Sequence, residues 1–96
     1  MNELILIGRL VADPILQTSA TGKKFCRYTM AVDREKSDKT DFLDCTAFDM
    51  LAELLAKYKK KGEQIATKGR IETSIYEKDG EKRYTIQIIA SNIKFL

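Results

Sequence analysis

The sequence contains no histidine, no tryptophan, a single proline and only two cysteines among its 96 residues. Without histidine, the commonest general base and the commonest metal ligand are both missing. Cys26 and Cys45 are far apart, lack a CxxC spacing and have no histidine to complete a metal shell, so no metal or other cofactor is expected. They read as two small buried apolar side chains, with a disulfide as the competing reading. No GxSxG and no phosphate-cradling glycine loop is present, and the carboxylate pair Glu35 and Asp38 falls in a polar stretch, so the chain is not expected to be an enzyme. Long apolar runs are missing too. The longest, Leu4 to Ile7, is strand-sized, far short of the ~20 residues of a membrane span. No basic stretch followed by a cleavable apolar segment opens the chain, so no secretory signal is expected.

What is present fits one small globular domain over residues 1–96, with 44% hydrophobic and 32% charged residues. The net charge of +3 is unevenly spread: residues 1–56 hold seven basic and nine acidic side chains, residues 57–96 ten basic and five acidic. A basic second half is compatible with a polyanionic partner and equally with a solvated surface.

Alternation of apolar and polar residues divides the chain into elements. Glu3 to Val11 reads as a strand apolar on both parities, which implies burial of both faces through a partner sheet or a partner chain. Asp13-Pro14 ends it, Ile15 to Gln17 is a short extended piece, and Ser19 to Gly22 is a turn. Lys23 to Asp33 alternates as a second strand, and Arg34 to Thr40 is a polar loop. In the strand Asp41 to Phe48, Leu43, Cys45 and Ala47 form a core parity. The opposite parity, expected to be polar, carries a ring at each end, Phe42 and Phe48. Asp49 is the expected N-cap of a helix from Met50 to Lys60, with Leu51, Leu54, Leu55 and Tyr58 on its buried stripe and Gly62 at C′. Lys57, Lys59, Lys60 and Lys61 suit the negative end of that helix. Glu63 to Tyr76 is a long strand in which Gly69 permits a bulge, and Asp79-Gly80 marks a hairpin turn. The last strand, Arg83 to Ala90, has Tyr84, Ile86 and Ile88 pointing inward. This β-β-β-α-β-β order matches a mainly all-β fold, a five-stranded antiparallel Greek-key barrel of the OB type with one helix between strands three and four.

Specific residues then narrow the reading. Ile5-Leu6-Ile7-Gly8-Arg9-Leu10, Asp13-Pro14, Thr21-Gly22, Ala31-Val32-Asp33-Arg34, Thr40-Asp41-Phe42 through Phe48, Leu51-Ala52-Glu53, Lys60-Lys61-Gly62, Gly69-Arg70-Ile71-Glu72-Thr73, Asp79-Gly80, Arg83-Tyr84 and Phe95-Leu96 occur in one order along the chain. In this the sequence resembles the bacterial and phage single-stranded DNA-binding proteins, from its first residue to its last. The resemblance implies an OB-fold homotetramer, a dimer of dimers, that coats single-stranded DNA without sequence preference in replication, recombination and repair. It implies a cytoplasmic place in a bacterium, nucleoid-associated or phage-encoded. It also implies that Phe42, Phe48 and Tyr76 stack on bases. The loop at Arg34-Glu35-Lys36 lacks the aromatic that relatives often carry near Lys36. Relatives also commonly carry a flexible tail with an acidic-hydrophobic tip. This sequence ends at Leu96, as a trimmed form or a tail-less version would, and tail-mediated enzyme partners are not expected of it. A primosomal accessory type of OB module, binding protein rather than DNA, is the alternative.

Cations complete the candidate surface. Lys68 and Arg70 share the parity of Tyr76, Arg34 and Lys36 lie in the polar loop, Lys82 and Arg83 follow the hairpin turn, and Lys23 and Lys24 follow the first turn. Competing structural roles exist for each ring: Phe42 and Phe48 under a loop or in a subunit contact, Tyr76 as a cross-strand partner of Tyr84. Arg9, on an apolar strand, suits an interface ion pair or a phosphate. The two-sided apolar first strand points to a homo-oligomer, because an unpaired edge of that kind invites self-association.

Overall fold

The computed structural model describes residues 1–96. Its elements are β1 (Leu4–Leu10), β2 (Gln17–Thr18), β3 (Lys24–Asp33), β4 (Thr40–Phe48), α1 (Asp49–Tyr58), β5 (Gln64–Lys78) and β6 (Glu81–Phe95). The sheet runs β1-β5-β6-β4-β3-β2, and a further pairing of β1 with β3 closes it into a ring. The ring has five strands, with the two-residue β2 appended to β3. This is the Greek-key closure of the OB-fold. One expectation needs correction: the strands are not all antiparallel. β4 and β6 run parallel where Cys45 faces Ile88 and Thr46 faces Ile89, because α1 and β5 intervene between them and return the chain in the same direction.

Strand alternation fills the barrel. Leu10, Cys26, Tyr28, Met30, Cys45, Ala47, Ile65 and Ile88 are buried in one cluster, and Ala52 and Leu55 of α1 close it from below β3 and β4. Both cysteines are free and buried. Burial pushes the Cys45 thiol up to about 12 and raises Cys26 as well. The hydroxyls inside the barrel satisfy one another: those of Tyr28 and Thr67 lie 3.0 Å apart, and Thr67 Oγ1 donates to Met30 Sδ. Two glycines let strands cross closely. A Cβ on Gly8 would strike the carbonyl of Ala31, and one on Gly69 the carbonyl of Ile89. At Gly69 the register slips, since Lys68 faces Asn92 but Gly69 faces Ala90, leaving Ser91 as the extra residue. The Ser91 hydroxyl donates to the Lys68 carbonyl across that bulge.

Several local expectations fail for physical reasons. Asp49 is not the N-cap. Phe48 holds that position without a side-chain bond, while Asp49 turns the corner at φ 55, a left-handed conformation that Asp tolerates. The helix stops at Tyr58, so Gly62 is not its C′ residue but sits in the following turn, where its N–H donates to the Leu10 carbonyl. Leu54 and Tyr58 are exposed, because only the Ala52 and Leu55 side of α1 reaches the barrel. Lys59, expected among the cations at the helix's negative end, is its C-cap and is buried, reaching the Leu96 carbonyl and lying over the Phe95 ring.

The largest departure concerns β5 and β6. Both run well past the barrel, and every residue from Arg70 through Ile86 is exposed. Tyr84 and Ile86 do share the inward parity of Ile88, yet they stand 72% and 64% exposed, because no strand lies opposite them. They form an apolar face of a projecting arm together with Ile71 and Ile75. On β1, likewise, Leu4, Leu6 and Leu10 turn to the core while Ile5 and Ile7 remain exposed, so one chain does not bury both faces of this strand. No helix is long and apolar enough to cross a membrane.

Candidate nucleic-acid interface

The outer parity of β4 carries Phe42, Asp44, Thr46 and Phe48, and the antiparallel register sets Ala31, Thr29, Arg27 and Phe25 of β3 beside them in that order. Phe48 therefore has a neighbour that the sequence reading did not single out, Phe25. Lys23 Nζ sits 4.9 Å from the centre of the Phe48 ring and the Arg27 guanidinium 5.7 Å from that of Phe25. Cations over the ring faces at this end leave aromatic surface and positive charge in one place. Phe42 stands alone at the other end, 67% exposed.

On the same side lies a groove of about 440 Å³, lined by the polar Arg27, Thr29, Asp44, Thr46, Thr85 and Gln87 of β3, β4 and β6, by Ile86, and by Val11 to Asp13 of the segment after β1. Thr29 donates to Asp44 Oδ1 at 3.0 Å, and Thr46 donates to Gln87 Oε1 at 2.9 Å. The second of these bonds joins β4 to β6 across their parallel seam. It makes the outer face of β4 continuous with that of β6, where Gln87, Thr85 and Arg83 follow one another at alternate positions. Arg83 is opposite Tyr76, so the same face extends onto the arm and carries Tyr76, 47% exposed, with Ser74, Glu72 and Arg70. Register thus brings Phe42, Phe48, Tyr76, Arg70 and Arg83 onto one side of the sheet. It does not bring Lys82, which pairs with Glu77 on the reverse face of the arm. Nor is Tyr76 a cross-strand partner of Tyr84, which faces Ile75 instead.

Most of the expected cations already hold a carboxylate. Arg34 grips Asp41 with Nε and a terminal nitrogen at 2.9–3.2 Å, holding the Asp41 carboxyl below its ordinary range and raising its own. Lys24 meets Glu53 at 2.6 Å, Lys68 meets Glu3 at 2.8 Å, and both ammonium groups are raised by those hydrogen bonds. Arg70 pairs with Glu72, Arg83 with Glu81, and Lys23 lies 3.8 Å from Asp49. Lys36, at the turn of the β3–β4 loop with φ 58, and Lys82 carry no such partner. Arg27, in the middle of the face, is also without a carboxylate partner, and it too escaped the sequence reading. Its position opposite Thr46 is visible only once the β3–β4 register is known. Exposed pairs of this kind are worth little in water, so an incoming phosphate can displace the carboxylate at small cost.

Residues 1–96 match the model of the single-strand binding protein family. The chain belongs to that family. It is 42% identical over its whole length to a single-stranded DNA-binding protein of Clostridium perfringens, of which it spans 66%. It is 41% identical to single-stranded DNA-binding protein 2 of Clostridium acetobutylicum, spanning 77% of it, and 35% identical to the single-stranded DNA-binding protein of Bacillus cereus, spanning 60%. The chain thus corresponds to about two thirds of the length of the curated relatives it matches.

Proposed function

We propose that this chain binds single-stranded DNA along the outer face of β3, β4, β6 and the arm, with little regard to sequence. The observation that supports this most is the continuity of that face. Exposed rings at Phe42 and Tyr76 and the half-buried ring of Phe48 lie on one side of the sheet, joined through the Thr46–Gln87 bond, with cations beside them. Any base offers a π face, and each stacked base contributes about 1–3 kcal/mol, so a row of rings holds an unpaired strand irrespective of its sequence. In a duplex those base faces are already stacked on one another and unavailable. Arg27, Lys36 and the carboxylate-paired Lys23, Lys24, Arg34, Lys68, Arg70 and Arg83 take the phosphates, and Lys82 reaches them only from the far side of the arm. Each phosphate neutralised makes log K fall by about 0.7 per decade of salt. Phe25 joins Phe48 as a stacking platform. The roles that follow are those of a coat on exposed strands in replication, recombination and repair.

The functional unit we propose is a homotetramer built as a dimer of dimers. Ile5 and Ile7 on β1 and the apolar face of the arm leave large side chains in water on a single chain, and a second copy is the simplest cover for them. The chain acts without catalysis or cofactor. A titration of oligo-dT followed by tyrosine fluorescence, with mass from light scattering, tests ligand and stoichiometry together. Tight, salt-dependent binding of oligo-dT and weak binding of duplex by a particle of four chains is the expected result. Equal affinity for duplex and single strand overturns the reading, and a particle smaller than four chains overturns the tetramer.

A further inference from the structure

Two carboxylates line the groove: Asp13, whose Oδ1 accepts from the Lys61 N–H, and Asp44, which stands in the middle of the β4 outer face among rings, cations and neutral polar groups. Asp44 is exposed, its Oδ1 accepts from Thr29 at 3.0 Å, and no Lys or Arg nitrogen lies within ion-pair distance of it, unlike Asp41 on the same strand, which Arg34 neutralises. A bare carboxylate repels phosphate. A strand crossing this groove therefore turns its phosphates away from Asp44 and its base edges toward it.

What the carboxylate can do there follows from its chemistry. An ionised Asp only accepts hydrogen bonds, and Oδ2 has none from the protein. Cytosine and adenine present an exocyclic amine, a donor. Uracil and thymine present a carbonyl at the corresponding position, which meets the carboxylate as one acceptor against another. Carboxylates pair with the cytosine amine in duplex recognition for the same reason. Donors for the remaining base edge lie across the groove. Gln87 uses its Oε1 on Thr46, which leaves its amide N–H groups to give, and the Arg27 guanidinium lines the same wall.

We infer that Asp44 is a specificity-determining residue that gives this face a preference for amino-bearing bases, cytosine and adenine, over uracil and thymine. The inference rests on the proposed single-stranded DNA binding and refines it: stacking tolerates every base, and the Asp44 position adds a bias at one point along the strand.

Oligo-dC and oligo-dU of about 12 nucleotides, within the span one such barrel covers, test it because their bases have nearly the same shape. Affinities of the full chain for both are measured alongside those of Asp44→Asn. The wild-type chain is expected to bind dC about fivefold tighter than dU. In Asp44→Asn, whose amide can either give or accept, the ratio is expected to fall close to one, chiefly through a gain in dU affinity. Equal wild-type affinities, or a ratio that survives in Asp44→Asn, overturn the inference while leaving single-stranded DNA binding intact. Failure of the wild-type chain to bind either oligonucleotide overturns the functional reading and the inference with it.

Discussion

The barrel wall and the β5–β6 arm are built from the same alternation of side chains, yet they put it to different use. In the wall, one parity fills the core and the other forms a surface. Cys45 and Ala47 are buried, while Phe42 and Asp44 face out. In the arm the parity continues without interruption through Ile71, Ile75, Tyr84 and Ile86, but no opposing strand covers it. A pattern of two therefore defines which side a residue faces, not whether that side is dry. Burial depends on a second layer, and this chain supplies none over the arm.

Substitutions that probe each region separate the two kinds of apolar residue. Ile65→Ala, in the wall and fully buried, is expected to cost about 2–5 kcal/mol of unfolding free energy in a urea titration. Ile86→Ser, on the arm, is expected to change the stability of the single chain by no more than about 0.5 kcal/mol while weakening self-association in sedimentation. If both substitutions cost the same stability at low protein concentration, the distinction between wall and arm fails.

The rings sharpen the comparison from the ligand side. Phe48→Ala and Tyr76→Ala are each expected to weaken oligo-dT binding by about 1–3 kcal/mol without unfolding the protein. Tyr76 lies far out on the arm, so its loss is felt with long oligonucleotides and little with short ones that occupy only the wall. Unchanged affinity in both variants removes stacking from the account.

A smaller effect concerns the wall alone. Burial lifts the Cys45 thiol from its ordinary 9.0 to about 12. Below pH 9 it is a neutral thiol in folded and unfolded chain alike, so its contribution is complete. As the pH climbs from 9 toward 12, the unfolded chain ionises first and that stability is lost. Melting temperature should therefore fall over that window, and a Cys45→Ala variant should show a shallower fall. At neutral pH neither buried thiol is expected to react with a disulfide reagent until the barrel opens.

Much of the fold was legible because periodicity is a local signal. The order of strands, the helix after Phe48, the core parity of β4 and the irregularity at Gly69 all follow from neighbouring residues. What escaped was long-range. β6 runs on to Phe95, past the Ala90 at which the alternation ends, because the bulge opposite Gly69 resets its register. The partners of Lys24 and Lys68, Glu53 and Glu3, are distant in sequence, so the charge pattern along the chain overstated how many cations stand alone. Phe25 and Arg27 sat in plain view on a strand, but their place beside Phe48 and Thr46 depends on register. The positive φ of Asp49 reflects the tight corner between β4 and α1, which a capping rule does not anticipate.

The most direct measurement is a map of backbone and side-chain NMR shifts on addition of oligo-dT. The expected pattern is a band of changes at Phe25, Asp44, Thr46, Phe48, Tyr76 and Gln87, with Ile71, Ile75 and Tyr84 on the reverse of the arm left still. Changes concentrated on those three instead, with the β3–β4 face silent, would contradict the claim that one continuous outer face carries the strand.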